Sequence, residues 1–240
     1  MPDGSADSAA ENKGGIGMLK RTISGVILVL IMIGLMYVGG ILLLVGLLAM
    51  SLIGLWEFFH AVSAGGHKPY LYLGMAGTLF YYGLIWSAIE NVWSSAIFLL
   101  YIVVFLMALM IRSVTAYPKR RVEDGALTLM GFLYVPVLFS FLYFLREQED
   151  GIFYVWYVFM ASWGCDTCAY LAGRFFGKHK MSPHLSPKKT VEGAIGGTLG
   201  AILLSMIYAF CIHSFVHVDS ADLYILSFFI GLFGALLGQL

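Results

Sequence analysis

The sequence predicts an all-α, polytopic membrane protein, and three observations support that fold class. Hydrophobic residues make up 60% of the 240 residues and charged residues only 12%, against about 45–50% and about 25% in soluble globular proteins. The mean hydropathy is +0.87. Apolar runs of about 20 residues, the length that crosses a bilayer as a helix, recur along the chain. This composition excludes a disordered chain, a collagen-like fibre and a disulfide-rich secreted domain.

The chain divides into a polar tail and a transmembrane helical domain. Residues 1–17 are rich in glycine, serine and alanine, and we interpret them as disordered. Residues 18–240 form a bundle of about eight spans. The first two are separated by Gly39-Gly40, because one helix through both would reach about 58 Å at 1.5 Å per residue, well beyond a bilayer core of about 30 Å. The predicted spans lie near residues 22–38, 41–60, 70–88, 92–111, 126–145, 152–173, 192–214 and 223–240.

The positions of the basic residues predict a cytoplasmic N-terminus. If eight spans alternate, the inner segments contain thirteen of the fourteen lysine and arginine residues, and only Arg146 falls in an outer loop. Cytoplasmic loops of membrane proteins carry such an excess of lysine and arginine. The formal net charge of zero gives no bulk attraction for nucleic acid, so we expect membrane lipids and no nucleic acid as partners. The sequence does not decide whether the protein is a monomer or a homodimer.

Asp166 is one of the few acidic residues within a predicted span. Ionisable groups at such positions are costly and usually functional. Asp166 precedes Arg174 by eight residues, which places it about 12 Å along the helix from the inner boundary. We interpret Asp166 as a functional residue in the cytoplasmic half of the membrane. A role in helix packing or hydrogen bonding is the alternative.

The segment between the sixth and seventh predicted spans, residues 174–190, favours phosphate binding. It contains five basic residues and two prolines that stiffen the backbone. Thr190 is placed to cap the next helix, and Glu192 complements the positive end of the helix dipole. A helix N-terminus with free N–H groups beside Lys188 and Lys189 is suited to an anion.

Hydroxyl groups strengthen this prediction, since Ser186 and Thr190 could donate hydrogen bonds to phosphate oxygens. The alternative is an ordinary basic loop that sets the topology and contacts anionic lipid headgroups. A dinucleotide site would need a preceding strand, and we reject it. Close helix packing explains the small-residue pattern that follows, which consists of Gly193, Gly196, Gly197 and Gly200.

A cysteine and histidine pattern near this segment imitates a zinc site. Cys165 and Cys168 are followed by His179 and His184, which resembles the spacing of a zinc finger. Both cysteines lie within an apolar span, and the interval between the two pairs is short. We therefore expect no structural zinc.

Three stretches of the sequence resemble the phosphatidate cytidylyltransferase (CDP-diacylglycerol synthase) family. The first reads DTCAYLAGRFFGK over residues 166–178, and the second reads SPKKTVEG over residues 186–193. The opening LKRTISG over residues 19–25 is similar to the N-terminus of that family. The resemblance covers roughly residues 19–240.

This resemblance implies an enzyme of the bacterial inner membrane that joins CTP and phosphatidic acid, with Mg²⁺, to form CDP-diacylglycerol and pyrophosphate. Its active site would face the cytoplasm. Asp166 would bind Mg²⁺ or nucleotide, Lys188 and Lys189 would neutralise phosphate charge, and the substrate would also contact Arg174, Lys178, Ser186, Thr190 and Glu192.

The resemblance also implies a further motif, rich in lysine, aspartate, glycine and histidine, that would begin near Leu240. In the family, that motif contains acidic residues implicated in metal binding. We therefore expect residues 1–240 alone to bind CTP or phosphatidic acid weakly and not to turn over.

Two other functions stay open at this level. A related CTP-dependent lipid kinase or prenyl-lipid cytidylyltransferase would share the anion-binding segment. A small-solute transporter would instead place its site at mid-membrane between broken helices, often within internal repeats. The sequence has no evident symmetry between its halves, which disfavours a transporter.

The predicted topology can be tested with single cysteines in a background without the native ones. In intact cells, cysteines at Lys119 and Lys188 should be protected from an impermeant maleimide, and cysteines at Glu90 and Asp150 should be labelled. The basis is the uneven distribution of lysine and arginine. Labelling of position 188 from outside would reverse the predicted orientation.

Overall fold

The computed structural model describes residues 25–90, 96–182, 186–217 and 219–239. Helices dominate these residues, which confirms the predicted all-α class. Five described helical segments are long and apolar enough to cross a membrane: Gly40–Ala64, Ala96–Ala116, Val122–Arg146, Val191–Ile212 and Ser220–Gln239. The count of eight spans and the cytoplasmic N-terminus stay predictions. The predicted polar tail at residues 1–17 lies outside the described residues.

A helix lies at every position where a span is predicted. The helices of the N-terminal part are α1 Gly25–Val38, α2 Gly40–Ala64, α3 Leu71–Glu90, α4 Ala96–Ala116, α5 Val122–Phe132 and α6 Leu138–Arg146. Those of the C-terminal part are α7 Gly151–Phe159, α8 Cys165–Phe176, α9 Val191–Ile212 and α10 Ser220–Gln239. Two short strands, β1 Lys180–Ser182 and β2 Ser186–Thr190, lie between α8 and α9.

Two of the predicted spans are interrupted by a π-helical turn. Leu133–Val137 joins α5 to α6 and contains Pro136, which has no N–H to donate within the helix. Met160–Gly164 joins α7 to α8 and contains no proline. Such turns are frequent near functional sites, and the second one ends two residues before Asp166.

The predicted break between the first two spans is confirmed. Gly39 and Gly40 have φ angles of 67° and 54°, which lie in the left-handed region that glycine adopts without a steric penalty. The turn brings α1 and α2 into contact, since a Cβ on Gly46 would lie 2.6 Å from Leu35 Cδ1. The two glycines therefore end one helix and start the next.

The chain forms two compact units, the first ending at Tyr143 and the second beginning at Phe144. Aromatic rings fill the core of the first unit. The rings of Phe105 and Phe132 have centroids 4.5 Å apart, and Tyr101 stacks on Phe105 at 6.2 Å. Offset and edge-to-face ring pairs of this kind add packing energy beyond their buried area.

Buried tyrosine hydroxyls in the first unit have partners on neighbouring helices. Tyr101 donates to the carbonyl of Gly77 at 2.6 Å, and Tyr82 is hydrogen-bonded to Ser51 at 2.8 Å. A polar group without a partner is costly in hydrocarbon, where no water is available. These bonds therefore link α2, α3 and α4 inside the apolar core.

One end of the first unit joins the α2–α3 loop to the start of α5. The carboxylate of Asp124 accepts the N–H of Lys68 at 2.7 Å, and Thr128 Oγ1 accepts the N–H of Tyr70 at 2.8 Å. Both basic connections of this unit, residues 65–70 and 117–121, therefore lie at the same end. That arrangement agrees with the predicted alternation of spans.

The second unit shows the same alternation. Asp150, which precedes α7, accepts the N–H of His217 at 2.7 Å, and the Nδ1 atom of that histidine lies 3.0 Å from the carboxylate. The α6–α7 and α9–α10 connections therefore meet at one end. The strands meet the C-terminal end of α10 at the other, where Lys189 contacts Gln239.

The Asp150–His217 pair predicts a pH-dependent stability. The hydrogen bond between the His217 ring and the Asp150 carboxylate raises the pKa of His217 above its usual value of 6.5. Protonated His217 therefore stabilises the folded protein. This stabilisation is complete below the pKa that the histidine has in the unfolded chain, and it is lost as the pH rises through the higher pKa that it has in the folded protein. We expect the melting temperature in detergent to fall over that interval above about pH 6.5, as measured by tryptophan fluorescence.

The substitution His217→Gln should remove this part of the pH dependence. His213→Gln is the matched control, because His213 contacts the carbonyl of Phe210 rather than a carboxylate. Identical pH profiles for the unmodified protein and His217→Gln would contradict the assignment.

Candidate active site

Three side chains of α8 share one face of the helix. Asp166, Tyr170 and Arg174 follow each other at intervals of four residues, a spacing that keeps side chains on the same side of an α-helix. All three are exposed, and Arg174 Nη1 lies 3.4 Å from the Tyr170 hydroxyl. The carboxylate and the guanidinium group therefore belong to the same helix surface, about two turns apart.

An antiparallel hairpin follows α8 where the sequence predicts a loop. Lys180 pairs with Thr190 and Ser182 pairs with Ser186, with an irregularity in register between the pairs. The sequence signal was weak, because β1 has only three residues and two prolines in the segment remove backbone donors. The hairpin places Lys189 and Thr190 at the start of α9.

The predicted cap of α9 is confirmed. Thr190 Oγ1 accepts the N–H of Gly193 at 3.1 Å. The N–H of Val191 donates to the carbonyl of His179 at 3.0 Å. Two first-turn amides that the sequence predicts to be free for an anion therefore already have partners, and positive charge at this site comes from side chains instead.

Glu192 holds the end of α8 against the start of α9. Its carboxylate accepts the N–H groups of Lys178, at 3.1 Å, and His179, at 3.2 Å, and lies 2.7 Å from Nδ1 of the same histidine. These contacts fix the segment that enters the hairpin. Glu192 therefore ties the entry to the hairpin to the first turn of α9.

The glycines at the start of α9 form its contact with α8. A Cβ on Gly197 would lie 2.8 Å from Ala169 Cβ and 3.0 Å from the carbonyl of Cys165. A Cβ on Gly193 would lie 2.9 Å from the carbonyl of Ala169. Small residues let helix backbones approach this closely, so the predicted packing role of this pattern is confirmed.

The cysteines of the apparent zinc pattern take part in the same packing. Cys165 is buried, and Cys168 lies against Gly200. His179 is held by Glu192, and His184 lies outside the described residues. The absence of zinc stays a prediction.

A cavity of about 360 Å³ opens between α8, the hairpin, α9 and α10. This volume is in the range of small-molecule sites, about 300–1,000 Å³. Most of the lining surface is apolar, although six of the eleven lining residues have polar or charged side chains. Its residues are Asp166, Ala169, Tyr170, Gly173, Arg174, Met181, Lys189, Thr190, Gly193, Ala194 and Gln239.

Four of the predicted site residues converge on this cavity: Asp166, Arg174, Lys189 and Thr190. The other predicted residues are placed around it. Lys178 lies just before the hairpin, Ser186 begins β2, and Glu192 lies in the first turn of α9. None of these three residues lines the cavity. Lys188 belongs to β2, but its side chain lies outside the described part of the structure.

Gln239 is a lining residue that sequence reasoning missed. Its Nε2 atom donates to the carbonyl of Ala194 at 3.2 Å and to Thr198 Oγ1 at 3.3 Å. The backbone carbonyl of Gln239 accepts a hydrogen bond from Lys189 Nζ at 3.3 Å. The available signal was a polar amide inside a predicted span, which needs hydrogen-bond partners in hydrocarbon.

The charges in the cavity suit a polyphosphate that carries a metal ion. Arg174 and Lys189 supply positive charge, and Asp166 supplies one carboxylate. Among the described residues, no cluster of three or more His, Cys, Asp or Glu side chains forms a metal cage. Mg²⁺ is commonly held by one or two carboxylates together with substrate phosphates and water, so the single carboxylate of Asp166 would fit the ion together with phosphate and water ligands.

Comparison with known proteins assigns the family. A sequence model described as the cytidylyltransferase family matches residues 19–240. The chain belongs to the cytidylyltransferase family. The match includes all the residues that line the cavity.

The chain is similar to three staphylococcal proteins named phosphatidate cytidylyltransferase. It is 31% identical to the Staphylococcus haemolyticus protein over 195 residues, which covers 80% of this chain and 72% of the relative. Identity to the Staphylococcus epidermidis protein is 29% over 224 residues, or 91% and 82% of the two chains. A Staphylococcus aureus protein is 30% identical over 198 residues, or 80% and 72%.

The glycine contact between α8 and α9 predicts a steric effect on stability. Gly197→Ala should lower the free energy of unfolding by about 1–3 kcal/mol, the usual cost of overpacking, because backbone and small side chains surround the site. Thermal unfolding in detergent measures the change. Gly238→Ala, where no atom lies within 4 Å of the added Cβ, is the matched control and should be neutral or stabilising.

An equal loss of stability in both glycine variants would contradict the packing role. A decrease for Gly197→Ala alone, with a matching loss of nucleotide binding, would show that the same contact holds the cavity together.

Proposed function

We propose that this protein is a CTP:phosphatidate cytidylyltransferase, which makes CDP-diacylglycerol and pyrophosphate for phospholipid synthesis. The observation that supports this most directly is the convergence of Asp166, Arg174, Lys189 and Thr190 on one cavity. Family membership and the names of the relatives support the same activity. The apolar helices around the cavity suit a lipid substrate that stays in the membrane.

The reaction is a nucleotidyl transfer. An oxygen of the lipid phosphate attacks the α-phosphorus of CTP and forms a new P–O bond. The bond between the α-phosphorus and the oxygen that bridges to the β-phosphate breaks, and pyrophosphate leaves with that oxygen. In such transfers the protein mainly orients the reactants and neutralises charge.

Lys189 and Arg174 are the proposed sources of positive charge for the triphosphate. Lysine acts as a point charge, whereas a guanidinium group can form two parallel hydrogen bonds to a phosphate. The carbonyl of Gln239 orients the Lys189 ammonium group toward the cavity wall. Thr190 accepts one hydrogen bond as a helix cap, and its hydroxyl hydrogen can still donate to a phosphate oxygen.

Asp166 is the proposed protein ligand for Mg²⁺. When bound, the ion offsets charge on the phosphates and on the leaving pyrophosphate. Asp166 lies about 12 Å along α8 from Arg174, so the carboxylate and the guanidinium group do not neutralise each other by direct contact.

The remaining predicted residues would act around the cavity. Glu192 holds the entry to the hairpin through Lys178 and His179, and this would keep Lys189 in place. We propose that Lys178, Ser186 and Lys188 contact the substrate phosphates from the hairpin. With the basic segments cytoplasmic, the site would open on the cytoplasmic side of the bacterial inner membrane, where CTP is available.

Removal of the Lys189 charge should reduce activity. In membranes from cells that express the full reading frame, Lys189→Ala should lower the incorporation of radiolabelled CTP into chloroform-soluble lipid at least about tenfold, which equals about 1.4 kcal/mol of transition-state stabilisation. Lys180→Ala is the matched control, because Lys180 is exposed on β1 and does not line the cavity. Full activity of Lys189→Ala would contradict a role in catalysis and would indicate that this basic segment only sets the topology.

Asp166→Asn should lose more activity than Lys189→Ala if Asp166 binds the metal. Raised Mg²⁺ should then restore part of the rate, because a weaker ligand lowers metal affinity. Parallel assays with CTP labelled at the α- or the γ-phosphate, and with phosphatidic acid, diacylglycerol or a prenyl phosphate as acceptor, identify the reaction and the lipid substrate. The α-label enters lipid only by nucleotidyl transfer, and the γ-label enters lipid only by kinase transfer. A preference for diacylglycerol or a prenyl phosphate would replace the proposed substrate with that of a related CTP-dependent enzyme.

A further inference from the structure

An apolar groove of about 530 Å³ lies in the first unit, between the last turns of α4 and the first turns of α5. Most of its lining is aliphatic and exposed. The lining residues that define the groove are Leu106, Met110, Val114, Tyr117, Val122 and Ala126. From Leu106 to Tyr117 the groove follows the chain for about 16 Å at 1.5 Å per residue.

The connection between α4 and α5, which joins the lining residues Tyr117 and Val122 at one end of the groove, is basic. Arg112, Lys119, Arg120, Arg121 and Lys68 lie on these helix ends and on the loop beside them, against only two carboxylates, Glu123 and Asp124. Asp124 already accepts N–H groups from the two flanking loops. The end of the groove therefore carries an excess of positive charge.

Two of these cations lie over the ring of Tyr70. The guanidinium carbons of Arg112 and Arg120 are 5.7 Å and 5.0 Å from its ring centroid. Arg120 also donates to the carbonyls of Lys68 and Pro69, so it holds the loop. Among the described residues, the Arg112 side chain contacts the Tyr70 ring. This contact leaves the N–H donors of Arg112 available for a ligand.

The Tyr70 hydroxyl is one of three buried polar side-chain atoms that lack a hydrogen-bond partner among the described residues. The residue is only 6% exposed, and its oxygen has no hydrogen-bond partner among the described residues. Its ring reaches the groove wall, because Tyr70 Cε2 lies 3.8 Å from the place of a Cβ on Gly125. A buried hydroxyl without a partner is destabilising, and an anionic oxygen held by Arg112 would give it one.

We propose that this groove binds one acyl chain of an anionic phospholipid whose phosphate is held by Arg112 and the Tyr70 hydroxyl. An apolar channel between two candidate membrane spans with cations at its end matches the chemistry of such a lipid. All lining residues belong to the first unit, whereas the candidate active site lies in the second. The proposal does not rest on the proposed function.

Photolabelling of the purified full-length protein tests the proposal. The probe is phosphatidylglycerol with a diazirine in one acyl chain, compared with phosphatidylcholine that carries the same chain. We expect labelled peptides from residues 106–129 with the anionic probe, and at least about fivefold less labelling with the zwitterionic one. Equal labelling by both probes would overturn the role of Arg112. Full competition by inorganic phosphate alone would overturn the lipid assignment.

Matched variants separate headgroup and acyl-chain contacts. Arg112→Gln should lower labelling about tenfold, which corresponds to about 1.4 kcal/mol, and Arg112→Lys should lower it less. Ala126→Phe should block the groove, whereas Ala61→Phe, at an exposed alanine of α2 outside the groove, should not. Lys189→Ala, in the candidate active site, should leave this labelling unchanged.

Two outcomes would contradict the proposal, and the second would also identify a different occupant of the groove. Unchanged labelling of residues 106–129 in both Arg112→Gln and Ala126→Phe would overturn the proposal. A lipid-free dimer in native mass spectrometry that Ala126→Phe converts to a monomer would show that a second copy of the chain covers the groove. Size-exclusion profiles and melting temperatures confirm that each variant is folded, and the graded effect of Arg112→Lys is read only on folded protein.

Discussion

The close contact between α8 and α9 is the constraint on which the candidate active site depends. Gly193 and Gly197 allow the backbones to approach so closely that a Cβ would meet carbonyl oxygens of α8 at about 3 Å. Helices do not associate through the hydrophobic effect inside a bilayer, so packing of small residues is the main attraction. Because α9 begins at the hairpin, this contact also determines where Lys189 and Thr190 lie relative to Asp166.

Several buried polar side chains in both units have hydrogen-bond partners within the protein, as the membrane interior requires. In the first unit, tyrosine hydroxyls bond to serine and backbone oxygens of neighbouring helices. In the second, Gln239 bonds to α9 through its side chain and to Lys189 through its carbonyl. Three buried polar atoms of the described residues have no hydrogen-bond partner, namely His67 Nδ1, the Tyr70 hydroxyl and Ser205 Oγ. Of these, Tyr70 lies beside two arginine side chains.

Much of the candidate site followed from residue chemistry and spacing. Asp166 was evident as a carboxylate in an apolar run, and Thr190 as a cap before a long apolar helix. Gln239 was not, because its partners Ala194 and Thr198 lie more than forty residues away in the sequence. The hairpin was also missed, since short strands between charged and proline residues carry no clear period of alternation.

The sequence by itself determined the class of the protein, the positions of its helices and the clustering of basic residues, because these depend on local hydropathy and charge. It also determined that two glycines would separate the first helices. Only the tertiary structure decided which cations share a cavity with Asp166 and which first-turn amides of α9 are already bonded. Those outcomes depend on how helices from distant parts of the chain pack, and local composition does not encode that geometry.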